Sequence, residues 1–404
     1  MESTGYYNFV YYTLNRESME ESGRYKRSLG IVELVSLGVG GTIGSGIFVV
    51  PGIAAKLIGP WSLFAWLIAA VSASCVLLSL AAVSFRFASS NSFYTLFASV
   101  FSTWFAVPLI ILYVISSIFG IATIAAGIGL YMTYFGLSQV LFVELIIVGT
   151  FCWINIWGIS FSGMTETILT TLKIIPLIII SILLIPFIKI ENLVPQVPVP
   201  ATGLLATIII VYWAFTGFEI SAIPVEETKD PALIRRSLLL VMGIVVSVYL
   251  LLNLSLIGSI GSDALAASPA PVASAAGILF ENSGIIVAGI GIIAMLSALN
   301  AYIIGTSRIL QSMAAQFSIP KIQDLNKRGT PAFALIAACG ISAGLLLFSN
   351  HFAQLATISV ITTLIPYIFF CLASWVLVID IKSRLIALFG VISTTGILVM
   401  YFII

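Results

Sequence analysis

Five glycines and two hydroxyls crowd into nine residues, Gly38-Val39-Gly40-Gly41-Thr42-Ile43-Gly44-Ser45-Gly46, in the middle of an apolar run long enough to cross a bilayer. Each glycine costs a helix about 1 kcal/mol against alanine, and a loosened backbone in hydrocarbon exposes N–H and C=O groups that lipid cannot satisfy. A break at that depth is expected to line a protein cavity. The hydroxyls of Thr42 and Ser45 and the N–H groups around Gly44, Ser45 and Gly46 form a donor set. The positive end of the half-helix that follows draws an anion, for which a carboxylate fits. The plainer alternative is close helix packing, but packing motifs place small residues four apart and not in a cluster.

A second apolar run with an internal break covers 208–219 and contains Trp213-Ala214-Phe215-Thr216-Gly217-Phe218-Glu219. Carbonyls freed near Trp213, Ala214 and Thr216 would accept hydrogen bonds from an ammonium, and Trp213 or Phe215 could cover it by cation–π contact. Aromatic packing around one tolerated glycine is the alternative for this run taken alone. Together the two breaks suit a zwitterion.

Two ionisable groups lie inside apolar runs. Lys173 sits roughly 12 Å into its run at the usual helical rise. A charge at that depth is costly and marks a functional position by default, and an amine that gains and loses a proton there is a coupling group. The alternative is a lysine that snorkels to the interface. Glu219 follows the second break by a few residues and is either a proton relay and gate switch or a paired structural acid. Arg308, with Glu226, Glu227 and Lys229, falls near helix ends and either forms gate salt bridges or stays solvated. Asn155 is expected to cap or bridge backbone. The single histidine, His351, falls in a short loop. Cys75, Cys152, Cys339 and Cys371 lack CxxC spacing, so neither metal nor disulfide is indicated.

The elements that position these residues follow from composition. Of 404 residues 60% are hydrophobic and 8% charged, with a mean hydropathy of +1.17, against about 25% charged in soluble domains. This is a polytopic all-α membrane protein. A net charge of +1 gives no reason to expect nucleic acid. At about 20 apolar residues per pass, spans are expected near 31–55, 61–84, 104–133, 139–157, 165–187, 203–224, 238–260, 283–313, 332–349, 353–379 and 385–403. That makes eleven, the third and eighth long enough to tilt.

Orientation follows from lysine and arginine placement. With the N-terminus cytoplasmic, the inner side collects Arg16, Arg24, Lys26, Arg27, Arg86, Lys229, Arg235, Arg236, Arg308, Lys321, Lys327, Arg328, Lys382 and Arg384. The outer side keeps Lys56 and Lys189, so eleven spans leave the C-terminus outside. The broken spans are the first and the sixth. A repeat of five spans places its second copy upside down, so the two breaks would face each other across the midplane. The expected organisation is a tail over 1–30, a first five-helix repeat over 31–187, an outer loop over 188–202, an inverted repeat over 203–380 and an additional helix over 381–404. The outer stretch 261–276 is a candidate lid helix.

The runs Gly41-Thr42-Ile43-Gly44-Ser45-Gly46-Ile47-Phe48, Trp213-Ala214-Phe215-Thr216-Gly217-Phe218-Glu219 followed by Glu226-Glu227-Thr228-Lys229-Asp230-Pro231, and 300–308 followed by Ile319-Pro320 resemble the signatures of the amino acid–polyamine–organocation (APC) transporter superfamily. The resemblance covers roughly residues 28 to 380. It implies a five-plus-five inverted-repeat fold with spans 1, 2, 6 and 7 rocking against spans 3, 4, 8 and 9. By that resemblance the substrate site comprises Thr42, Ile43, Gly44, Ser45, Gly46, Trp213, Ala214, Phe215 and Thr216. The carboxylate goes to Ser45 and Gly46, the amino group to the carbonyls of Thr42, Trp213 and Thr216, and Trp213 or Phe215 gates, with Arg308 at the inner end. The stretch 169–175 resembles family members in which a lysine takes the place of a coupling sodium ion, with Ser297 and Asn300 as neighbours of Lys173.

The resulting expectation is a plasma-membrane secondary transporter of amino acids, neutral ones favoured, with proton symport through Lys173 and Glu219, sodium coupling less favoured, and no cofactor or metal. Exchange is the nearest rival. A channel would need a ring of pore charges, an enzyme a catalytic set in the membrane, and a non-transporting sensor would keep the same site.

Overall fold

The computed structural model describes residues 29–84, 92–158, 163–195, 198–222, 228–230 and 232–403. Arg16, Arg24, Lys26, Arg27, Arg86, Glu226, Glu227 and Pro231, together with most of the expected tail over 1–30, lie outside the described residues.

Hydrocarbon satisfies no backbone group, so an apolar run crosses it as a helix whose hydrogen bonds are internal. The described residues form helices and turns and no strand. Span 1 is split into α1 (Ile31–Thr42) and α2 (Ser45–Ile58). Span 2 is α3 (Ser62–Val83), and a short α4 (Ser92–Val100) precedes span 3, α5 (Thr103–Tyr134). Spans 4 and 5 are α6 (Val140–Ile156) and α7 (Gly163–Leu184), followed by the one-turn α8 (Ile190–Leu193). Span 6 begins as α9 (Ala201–Tyr212) and continues as two 3₁₀ pieces, Trp213–Phe215 and Phe218–Ala222. Span 7 is α10 (Ala232–Ala267), followed by α11 (Pro271–Ala276). Spans 8 to 11 are α12 (Ser283–Gln316), α13 (Ala332–Phe348), α14 (Phe352–Leu377) and α15 (Ile381–Ile403).

Among the described residues a helix stands at each of the eleven expected spans, and the breaks fall in the first and sixth. Spans 3 and 8 run to 32 and 34 residues, longer than a perpendicular crossing needs. α6 and α13 have 17 each, at the lower end of what spans. α10 begins six residues before its expected start and is kinked by Gly261, whose φ is 80°; the short helical piece beyond the kink and α11 fall in the stretch 261–276. α4 was not expected: nine residues are too few to cross. It lies against α5 and α14, with Phe93 and Phe97 packed on Phe370 at ring separations of 5.0 and 4.7 Å.

Two groups of helices emerge from the packing. α10 lies against α1, α2 and α3, and α9 against α2 and α3, while α5 packs on α6 and α12, and α13 on α6 and α12. α7 lies along α1, α14 along α5, and α15 on α14 and α3. One isolated bridge, Leu29 with Thr228, ties the entry of span 1 to the chain after span 6, with the Lys229 N–H donating to the Leu29 carbonyl at 3.0 Å.

Candidate functional site

The break in span 1 leaves carbonyls without helical partners at the end of α1 and N–H groups without partners at the start of α2. Ile43 and Gly44 leave helical geometry, with ψ of 88° and φ, ψ of −139°, −140°. Two of the freed carbonyls, those of Gly40 and Thr42, are caught by neighbouring spans. Lys173 on α7, 1% exposed, donates from Nζ to the Gly40 carbonyl at 2.7 Å and to Ser297 Oγ on α12 at 3.2 Å. One turn earlier Thr170 Oγ1 donates to the Ser36 carbonyl at 3.0 Å. The ammonium thus sits at the negative end of the α1 dipole, where a cation is favoured. The Thr42 carbonyl accepts from Tyr249 Oη on α10 at 2.9 Å and from the Gly44 N–H at 3.0 Å.

Span 6 breaks where Thr216 turns extended, with ψ of 155°, and Gly217 adopts a φ of 100° that favours glycine. The two breaks abut. A methyl placed on Gly217 would lie 2.7 Å from the Gly41 carbonyl oxygen, and one placed on Gly46 would lie 2.4 Å from Ala214 Cα. Between them is a small void of about 10 Å³, room for about one water, lined by Gly41, Thr42, Gly44, Ser45, Gly46, Ile124, Trp213, Thr216, Ala298 and Tyr302. Its lining is buried throughout, so it is closed to both faces. The Trp213 indole lies across it and donates from Nε1 to Ser45 Oγ at 3.2 Å. The Trp213 carbonyl already accepts from Thr216 N and Oγ1, at 3.2 and 2.8 Å, so in this arrangement its lone pairs are used within its own turn.

Of the expected site residues, Thr42, Gly44, Ser45, Gly46, Trp213 and Thr216 line the void. Ile43 and Ala214 are buried beside it and supply packing, not lining. Phe215 differs from expectation. Its ring lies against Trp66 and Tyr249 at 5.8 and 5.2 Å, inside the group of spans 2, 6 and 7, because a 3₁₀ turn rotates successive side chains by about 120°. Ser297 meets Lys173 as expected. Asn300 accepts from Asn155 Nδ2 at 2.9 Å, and Asn155 also donates to the Phe151 carbonyl, the backbone role expected of it. Arg308 lies half-buried farther along α12, and His351 is exposed at the start of α14. No group of metal-ligating side chains forms among the described residues.

Glu219, 3% exposed, lies beyond the void in a second one, also of about 10 Å³, that shares Thr216 and Tyr302 with the first. Its two oxygens accept from Tyr113 Oη at 2.9 Å, Tyr367 Oη at 2.8 Å and the Gly217 N–H at 3.1 Å. Those hydroxyls come from α5 and α14, so the carboxylate ties span 6 to spans 3 and 10. At the other end Tyr131 Oη donates to the Phe48 carbonyl at 2.9 Å, tying α5 to α2. Sequence reasoning missed these tyrosines and Tyr249 and Tyr302. A tyrosine hydroxyl inside an apolar run must find a partner, which is the signal that marks them.

The geometry is that of a small closed void between two interrupted helices, in a chain with recognisable relatives. A family model described as amino acid permease matches residues 29–404. The chain is similar to the inner membrane transport protein YbaT of Escherichia coli (strain K12), 25% identical over 314 residues, 75% of this chain and 73% of that protein. It is similar to the branched-chain amino acid permease BcaP of Bacillus subtilis (strain 168), 25% identical over 319 residues, 73% of this chain and 68% of the other. It is also similar to the serine/threonine exchanger SteT of the same bacterium, 25% identical over 377 residues, 87% of this chain and 83% of the other. With the match running over nearly the whole chain, this multi-pass membrane protein belongs to the amino acid permease family, a family of transporters and not of enzymes.

Proposed function

We propose that the protein carries neutral amino acids across the cell membrane by alternating access and that proton symport through Lys173 drives uptake. The observation that carries this reading is the closed void between the two breaks. The orphan N–H groups of α2 and Ser45 Oγ suit a carboxylate on one side, and freed carbonyls of α1 and span 6 suit an ammonium on the other. The carboxylate binds at Ser45 and Gly46 in place of the Trp213 indole, which swings aside as a gate. The amino group binds at the Thr216 carbonyl and at the Thr42 carbonyl, where it takes the place of the Tyr249 hydroxyl. No fixed charge lines the void, which favours neutral side chains.

Lys173 couples because its ammonium holds the Gly40 carbonyl at the end of α1. Loss of its proton leaves one fewer donor there and frees α1 to move. Glu219, with Tyr113 and Tyr367, closes the path on the side where α1 begins, which lysine and arginine placement makes cytoplasmic. Residues 31–187 and 203–380 form the two inverted repeats. Arg308 belongs to the same inner end. A second reading, obligatory exchange, is favoured by the similarity to a serine/threonine exchanger over 87% of the chain.

Uptake of radiolabelled neutral amino acids into proteoliposomes, with an acid-outside gradient and no sodium, separates these readings. Gradient-driven accumulation is expected for the wild type, lost in Lys173→Met while counterflow persists. Accumulation that requires internal substrate or sodium would replace proton symport by exchange or sodium coupling.

A further inference from the structure

A helix ends in carbonyls that lack intrahelical partners, and at the end of α6 two of these are met by the loop between α12 and α13. Asn326 Nδ2 and Thr330 Oγ1 donate to the Ile156 carbonyl at 3.0 and 3.1 Å, and Arg328 Nη1 donates to the Trp157 carbonyl at 3.0 Å. Asn326 Oδ1 in turn accepts from the N–H groups of Arg328 and Thr330 at 2.9 and 3.1 Å, which fixes the turn. The Arg328 guanidinium lies 4.1 Å over the Trp157 ring. Between these residues runs a groove of about 290 Å³, lined by Ile156, Trp157, Asn326, Lys327 and Arg328.

The groove has the chemistry of an anion site set beside lipid. No carboxylate lines it, and Asp324 in the same loop turns to the Lys321 N–H at 3.2 Å. Lys327 is exposed. A guanidinium has five N–H donors, and Arg328 gives one of them to Trp157, which leaves others for a phosphate. α13 starts four residues after Arg328, and the positive end of its dipole favours a negative group at this end. The flank is apolar: Trp153 and Trp157 pair at a ring separation of 5.3 Å and are 56% and 48% exposed, and Phe333 and Ile336 on the first turns of α13 are half-exposed. On a membrane protein such faces meet acyl chains, and tryptophan settles at headgroup level.

Length adds a physical reason for a lipid here. α6 and α13, which the groove joins, have 17 residues each, about 26 Å of helix against a hydrocarbon core of about 30 Å. A short span is accommodated where the bilayer thins beside it. A headgroup drawn onto the groove brings the lipid surface down to the helix ends.

We infer that this groove binds the headgroup phosphate of an anionic phospholipid, in the leaflet that lysine and arginine placement makes cytoplasmic, with the acyl chains lying along Trp153 and the first turns of α13. The phosphate meets Lys327 and Arg328. Both spans belong to the group that packs apart from the broken helices, so the lipid anchors that group in the bilayer.

The test is titration of the purified full chain in detergent with phosphatidylglycerol or phosphatidylcholine, bound lipid being counted by native mass spectrometry. A basic residue at the membrane surface strengthens the hold on an anionic lipid by about fivefold. The first phosphatidylglycerol should therefore bind wild type about tenfold or more tighter than phosphatidylcholine. Lys327→Gln should weaken it by about fivefold, Lys327→Glu by more, and Lys327→Gln with Arg328→Gln should abolish the preference. Glutamine at the outer lysines Lys56 and Lys189 should change nothing. If the double variant does not fold, the exposed Lys327 variants carry the test alone. Inorganic phosphate at the same concentration should not displace the lipid; displacement would make the groove a free-anion site and overturn the lipid assignment. Equal binding of phosphatidylglycerol by wild type and Lys327→Glu, or no preference over phosphatidylcholine in wild type, overturns the inference outright.

Discussion

At the scale of single residues, function is concentrated where a side chain is absent. Gly46 lets α2 approach span 6 until the space for one methyl is gone, and adding bulk to a packed contact costs about 1–3 kcal/mol. Gly46→Val is therefore expected to lose alanine binding and lower the thermal midpoint, whereas Gly396→Ala on α15, where an added methyl meets no neighbour, should leave both unchanged. Tyr367→Phe makes a separate prediction. It removes one of three donors to Glu219, so the void around Glu219 should open more often, read as a several-fold faster thiol labelling of Thr306→Cys in a background freed of the native cysteines. The glycine cluster and Trp213 were legible in the sequence because both break the rules of a membrane helix. The facing of Phe215 was not, since it depends on how the backbone turns after Tyr212, and that turn is set by contacts with Trp66 and Tyr249 from spans distant in sequence. The tyrosine partners of Glu219 were hidden for the same reason: each hydroxyl was visible, but not which acceptor it would meet.

At the scale of elements, apolar length located the spans, because hydrocarbon leaves a chain one way to satisfy its backbone. It could not find α4, which is too short to span and is fixed by the phenylalanines it buries against α14. Nor did it find the kink at Gly261, since an apolar count carries no φ angle. Helix starts carry their own chemistry. Asp380 caps α15, its carboxylate accepting from Ser383 N at 3.0 Å and Ser383 Oγ at 3.1 Å, and these bonds hold it below the usual aspartate range. A depressed folded-state pKa means that the cap's contribution is full above the unfolded value of about 3.9 and disappears as pH falls through the lower folded one. Hydrogen exchange in the first turn of α15 should therefore show growing opening on acidification below about pH 4, and Asp380→Asn should flatten that dependence. A pH-independent first turn in the wild type would contradict the capping role.

At the scale of the whole molecule, the packing divides the spans into a group containing both broken helices and a group built on α5, α6, α12 and α13, and the tyrosine bonds to Glu219 and to the Phe48 carbonyl cross between them at opposite ends of the void. Movement of the first group as one body predicts that a cross-link within it is harmless. Leu29→Cys with Thr228→Cys, at the bridged pair and with the four native cysteines replaced by alanine, should oxidise and still transport. Loss of transport restored by a reductant would show instead that α1 must part from the chain after span 6.

The abutment of Gly41 and Gly217 bears on how such a chain can change over generations. A methyl at either position strikes the carbonyl of the other, at 3.0 and 2.7 Å, and Gly217 also needs its positive φ. Each methyl would strike a main-chain oxygen that any residue carries, so a change at one position cannot relieve the other, and each is held to glycine independently although 176 positions separate them in the sequence. A mutational library randomised at one of them and selected for growth on the substrate should return glycine.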